Sequence, residues 1–195
     1  MNYLAHAYLS FNQEELLVGN FIGDFVKGKQ WENYPLEMAK GILLHREIDY
    51  FTDRHPEFIK CKRLLSPHMG HYATLFPDLI FDHFLANDAR YFSNDSLKEF
   101  SEKVYQSVEL KIDHVPKDFS YIFWRIKSGN WLYTYRFRGG IENAIRGLVR
   151  RSNAPFEETI AVDLFRKHAQ EMEESYQIFF PELESFVKEL LYNTP

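Results

Sequence analysis

Apolar residues recur at helical spacing along almost the whole chain, while strict alternation sustained over a strand's length is hard to find. A helix returns a side chain to the same face every 3.6 residues and a strand alternates faces, so this periodicity predicts an all-α protein. With 195 residues, 45% hydrophobic, the chain can bury a sizeable core. Short linkers and the lack of repeats predict a single-domain helical bundle over residues 1–195.

Leu16, Leu17, Val18, Phe21, Ile22 and Phe25 form a short apolar helix that Gly28 ends, with Gly19 and Gly23 four apart where a neighbouring helix could approach closely. Pro35 opens a longer helix that stops at His55-Pro56, and Pro56 opens the next. A further helix is expected from Tyr72 to Asn87, with Pro77 either kinking it or starting its second half. Later helices are expected near Ser96–Ile112, Phe119–Trp131, Gly140–Arg151, Phe156–Phe179 and Pro181–Tyr192.

A single cysteine, Cys61, cannot form an internal disulfide and fits a reducing compartment, so cytoplasm is expected. Neither an export signal nor a membrane-spanning run is read. A net charge of -5 argues against nucleic-acid binding, since phosphate backbones reward a basic surface. The average conceals a basic and aromatic segment: Arg125, Lys127, Arg136, Arg138, Arg146, Arg150 and Arg151 are interleaved with Trp124, Trp131, Tyr133 and Tyr135. It reads either as a solvated helix face or as a docking surface for an acidic partner.

Four places carry ionisable groups where chemistry could reside. His45, Asp49 and Asp53 are spaced by four on one predicted helix, so an imidazole and a carboxylate project from nearly one face and could share a divalent ion. Asp82-His83 interrupts an otherwise apolar run, where unpaired burial would be costly, and the two point about 100° apart. Asp24 is framed by aromatics and glycines, and His6 lies in the similarly apolar opening segment. Together His6, Asp24, His45, Asp49, Asp82 and His83 form a mixed imidazole and carboxylate set that suits Mn²⁺, Fe²⁺, Mg²⁺ or Zn²⁺ and leans towards manganese or iron. Neither a phosphate-cradling glycine loop nor a G-x-S-x-G elbow is present.

In the opening Met1-Asn2-Tyr3-Leu4-Ala5-His6, in Gly19–Gly28, in Gly41–Asp49, in Thr52-Asp53 and in Asp82-His83-Phe84-Leu85, the sequence resembles the acyl carrier protein phosphodiesterase family. The resemblance implies an HD-domain-like fold and a manganese-dependent release of 4'-phosphopantetheine from an acidic acyl carrier protein. Mg²⁺ or Fe²⁺ could stand in for manganese. It also implies that Asp24 is needed for activity. One departure is plain: HD hydrolases carry an adjacent His-Asp pair, whereas this chain has Asp82-His83.

On this basis Arg46 and Lys27 are candidates to neutralise the phosphate, and Asp53 to orient water or a ligating imidazole. Arg46 could equally pair with a nearby helix carboxylate. Arg125, Arg136, Arg138, Arg146 and Arg150 become the expected landing surface for the carrier. The competing readings are an HD-like phosphohydrolase acting on nucleotides or another small phosphoester, and a non-catalytic helical adaptor for an acidic protein.

Overall fold

The computed structural model describes residues 1–193, and among these it contains helices and connecting turns with no strand. Helix α1 (Tyr3–Tyr8) leads through left-handed Phe11 and Asn12 into α2 (Glu14–Phe21). The apolar run expected to continue to Phe25 instead leaves the α-helix at Phe21 and tightens into a 3-10 turn over Gly23–Phe25. Gly28, at φ +53°, turns the chain away.

Helix α3 (Leu36–Arg54) follows Pro35, and Pro56 opens α4 (Pro56–Met69), both as the prolines predict. Pro77 starts α5 (Pro77–Asn87) rather than kinking a longer helix, because the preceding residues Gly70–Leu75 form a separate 3-10 segment. A capping box of Ser93 and Ser96 opens α6 (Asn94–Leu110). Helix α7 (Lys117–Ser128) ends before Trp131, since left-handed Asn130 breaks the chain and Trp131 begins the short α8 (Trp131–Thr134). Helix α9 (Arg138–Ser152) and the 36-residue α10 (Glu158–Asn193) complete the fold.

The expected break between Phe179 and Pro181 does not occur: α10 runs through Pro181. An interior proline removes one backbone bond and costs about 3 kcal/mol. That cost is outweighed because Met172, Tyr176, Phe179, Phe180, Leu183 and Val187 make one buried stripe spanning the proline, and interrupting the helix would expose part of it.

Helices α2 and α3 make the most intimate contact of the fold. At Gly19 an added Cβ would lie 2.0 Å from the Met38 carbonyl oxygen, and at Gly41 one would lie 2.1 Å from the Leu16 carbonyl oxygen. The two backbones touch where side chains are missing. Six-residue α1 is too short to persist alone and has no cap bond from its own Asn2. Its first amides are satisfied from α5: Leu4 and Ala5 donate to the Asp82 carboxylate at 2.7 and 3.0 Å. Helices α1, α2 and α3 are thereby held side by side, which places the polar residues they carry within reach of one another. Among the described residues no helix is long and apolar enough to cross a membrane.

Candidate metal centre and active site

Three elements bring the site together. Helix α3 contributes His45 and Asp49, one turn apart on its α2-facing side, with His45 Nε2 3.2 Å from Asp49 Oδ2. Helix α1 contributes His6, whose ring stacks on that of His45 with centroids 3.9 Å apart. The 3-10 turn contributes Asp24, whose Oδ1 lies 3.4 Å from His45 Nε2. Gly23 makes room for this: a Cβ there would sit 2.2 Å from the His45 ring.

Buried Asn20 orients both rings. His45 Nδ1–H donates to the Asn20 carbonyl at 2.8 Å, which turns Nε2 towards Asp24 and Asp49. The Asn20 amide donates to the carbonyl of His6 at 2.8 Å and to Ser10 Oγ at 3.1 Å, so its own oxygen must accept from His6 Nδ1–H at 2.8 Å. A neutral His6 therefore presents a bare Nε2. That lone pair faces the Met1 carbonyl oxygen at 3.1 Å and Asp49 Oδ1 at 3.4 Å. Asp49 Oδ1 accepts from the Met1 ammonium at 3.0 Å, but the His6 lone pair and the Met1 carbonyl oxygen face each other as two acceptors.

Ligand atoms of His6, His45 and Asp49 all lie within 4.8 Å of one another, so the residues fit a divalent ion. Imidazole rings steered by their far nitrogen are also the usual outer arrangement of a metal site.

Charge in the cluster is already partitioned. Burial and the neighbouring His45 push His6 down to about 4. Burial would also lower His45, but the Asp24 and Asp49 carboxylates outweigh it and raise the ring to about 9. Asp24 is lowered, chiefly by its hydrogen bond to His45. Burial opposes ionisation of Asp49, yet the Met1 ammonium and the two imidazoles hold it well below the usual carboxylate range. That ammonium lies 3.0 Å from Asp49 and 3.1 Å from Asp78.

A pH dependence follows for the metal-free protein. The folded His45 pKa lies above the ordinary 6.5, so the stability from its pairing with Asp24 and Asp49 is fully present below about pH 6.5 and is lost as pH rises through about 9. Thermal unfolding of chelator-washed protein is expected to fall progressively between these values, and His45→Gln to remove most of that slope. An unchanged slope in the variant would show that His45 does not carry the charge.

The other expected site residues stand elsewhere. Asp82 caps α1, with burial pushing its carboxyl up to about 7, and is not among the grouped ligands. His83 Nδ1–H donates to the Tyr135 carbonyl at 2.5 Å, away from the cluster, and burial lowers its pKa. Asp53 is exposed and paired with Lys62 at 2.8 Å. Arg46 donates to the carbonyls of Val26 and Gly28, at 3.0 and 2.7 Å, tying down the loop that follows Asp24. Lys27 donates to the Asp24 carbonyl in the same loop.

In the basic segment, Arg138 is paired with Glu142 at 3.1 Å and Arg150 with Glu158 at 2.7 Å. Nη1 of Arg136 is buried without a partner. Among the described residues Arg125 and Arg146 have no ion-pair partner.

A cavity of about 440 Å³ opens beside Asp24, lined also by Tyr3, Trp131, Asn143, Gly147 and Arg151. Asn20 and Tyr3 lay unremarked inside the resembling segments. The signal for Asn20 was an amide in an otherwise apolar helical run. No comparable signal separated Arg151 from the other arginines.

The sequence profile described as acyl carrier protein phosphodiesterase matches residues 1–183. The chain belongs to that family. Among curated relatives bearing the family's name, the protein from Photorhabdus laumondii is 32% identical over 152 residues, 77% of each chain. The Enterobacter sp. strain 638 protein is likewise 32% identical, covering 77% of this chain and 79% of its own. The Yersinia pestis protein is 28% identical over 93% of this chain and 94% of its own. No solved structure gave a significant match.

Proposed function

We propose that this chain hydrolyses the phosphodiester joining 4'-phosphopantetheine to a serine of holo acyl carrier protein, leaving the apo carrier, with Mn²⁺ as its cofactor and Mg²⁺ or Fe²⁺ as substitutes. The observation that carries the proposal is the convergence of possible ligand atoms from His6, His45 and Asp49 beside an ionised Asp24, in a member of the acyl carrier protein phosphodiesterase family. Two imidazoles and a carboxylate favour manganese or iron over a thiolate-type zinc site. The unpaired, buried Cys61 is consistent with a cytoplasmic enzyme.

A divalent ion held there would supply Lewis acidity, lowering the pKa of water and withdrawing charge from a phosphoryl oxygen. The remaining work belongs to the chain. Asn20 holds both imidazoles with their Nε2 atoms towards the ion's place. Asp24 is mostly exposed and held ionised, so it can take a proton from the attacking water. The water oxygen forms the new P–O bond, the bond to the serine oxygen breaks, and the proton passes to that oxygen. Arg46 and Lys27 donate to carbonyls of the Asp24 loop and so help to hold it.

Acyl carrier protein is acidic, and Arg146 stands without an ion pair on α9, the helix that also lines the cavity through Gly147 and Arg151. Arg146 and Arg125 are therefore the steering charges of choice among the five arginines. Arg138 and Arg150 are already engaged by glutamates of this chain.

The test is conversion of holo to apo carrier, read by gel shift. Chelator-washed protein is expected to be inactive, Mn²⁺ to restore turnover, and Arg146→Glu to slow it at low salt far more than at high salt. Undiminished conversion after complete metal removal would sink the metal-dependent reading. Turnover of free nucleotides with none of holo carrier would transfer the site to another phosphoester.

A further inference from the structure

The cavity beside Asp24 has a feature the hydrolytic site itself does not require. Its walls are set by α9, α8, the first residues of the chain and the start of α5, where the Asp78 carboxylate is paired with the Met1 ammonium at 3.1 Å. Arg151 lies over the Trp131 ring at 5.8 Å and, among the described residues, has no carboxylate partner, unlike its neighbour Arg150. Tyr3, Asp24 and Arg151 all line this one cavity.

An unpaired guanidinium held against an indole face, facing a cavity next to the candidate metal centre, suits an anionic group of a ligand. Farther along, Gly147 leaves its stretch of wall bare. A Cβ there would meet only guanidinium tips, Arg151 Nη1 at 3.3 Å and Arg150 Nη2 at 3.9 Å, so backbone packing does not demand the glycine. A mid-helix glycine costs about 1 kcal/mol relative to alanine. Exposed Asn143, one turn earlier on the same face, offers an amide to a passing chain of amides.

We infer that this cavity seats the phosphopantetheine arm, with Arg151 on the phosphate and the bare wall at Gly147 giving passage to the amide-bearing chain. This rests on the carrier phosphodiesterase reading. It assigns the phosphate to Arg151 in place of Arg46 and Lys27, which donate to loop carbonyls and do not line this cavity.

The experiment is calorimetric titration of the full chain with free 4'-phosphopantetheine and, separately, with pantetheine, which lacks the phosphate. Wild type is expected to bind the phosphorylated arm at least tenfold more tightly. Arg151→Ala should weaken 4'-phosphopantetheine by about thirtyfold, in keeping with the loss of a charge-assisted contact, and pantetheine by less than twofold. Gly147→Leu should weaken both by tenfold or more.

Wild-type affinity for 4'-phosphopantetheine in Arg151→Ala overturns the assignment. So does failure of wild type to bind the free arm while it still converts holo carrier to apo. If Gly147→Leu does not fold, exposed Arg151→Ala carries the test alone. Failure of the underlying reading shows separately, as wild type that never converts holo carrier.

Discussion

Asp49→Asn is expected to abolish stoichiometric Mn²⁺ binding and to lower conversion of holo carrier by about a thousandfold, because a ligand, and with it the cation's acidity, is lost. Asp49 is the group on which the cluster depends: its carboxylate meets His6 at 3.4 Å, His45 at 3.2 Å and the Met1 ammonium at 3.0 Å. Asparagine keeps the shape and removes the charge. The control lies one turn further along α3, where Asp53 has the same four-residue spacing but is paired with Lys62 at the surface. Asp53→Asn should leave metal content and rate as in wild type. Metal analysis of purified variants, with the gel-shift assay, checks both. Full metal occupancy in Asp49→Asn, or loss of activity in Asp53→Asn, would refute this assignment of the helix face.

Gly41→Ala is expected to destabilise the protein by about 3 kcal/mol or more, a loss of roughly 10 °C in Tm for a domain of this size. Helix propensity alone predicts the opposite sign, since alanine is favoured over glycine by about 1 kcal/mol in a helix interior. The contact decides. The new methyl would lie 2.1 Å from the Leu16 carbonyl oxygen and 2.8 Å from the Asn20 backbone nitrogen, and neither atom belongs to a side chain that could turn aside. Relief requires α2 and α3 to separate. Because Asn20 steers both His6 and His45, Mn²⁺ affinity should fall together with stability. A Tm equal to or above wild type would mean the helices are farther apart than these distances indicate.

Several features of the fold were legible because they are local. The 3.6-residue periodicity gave the all-α class, Pro35 and Pro56 marked helix starts, and the glycine spacing around Gly19 signalled close helix contact. Pro181 misled because its local penalty is real but smaller than the gain from burying one continuous stripe from Met172 to Val187. Trp131 was assigned to the wrong helix because left-handed Asn130 leaves no periodicity signal of its own.

At the site, residue types were legible and roles were not. His45 and Asp49 share a helix face, so their spacing alone brings them together. Asp82, Asp53 and Arg46 carry functional groups of the same kinds as the clustered residues, yet they cap α1, pair with Lys62 and bind loop carbonyls. Burial partners decide such roles, and those partners lie 9 to 78 residues away in the chain. The linear order of residues determined which helices could form and which side chains could hold a cation. Only the packing of α1 and α2 against α3 decided which of them converge, since helix spacing governs neighbours along one element and says nothing about how separate elements meet.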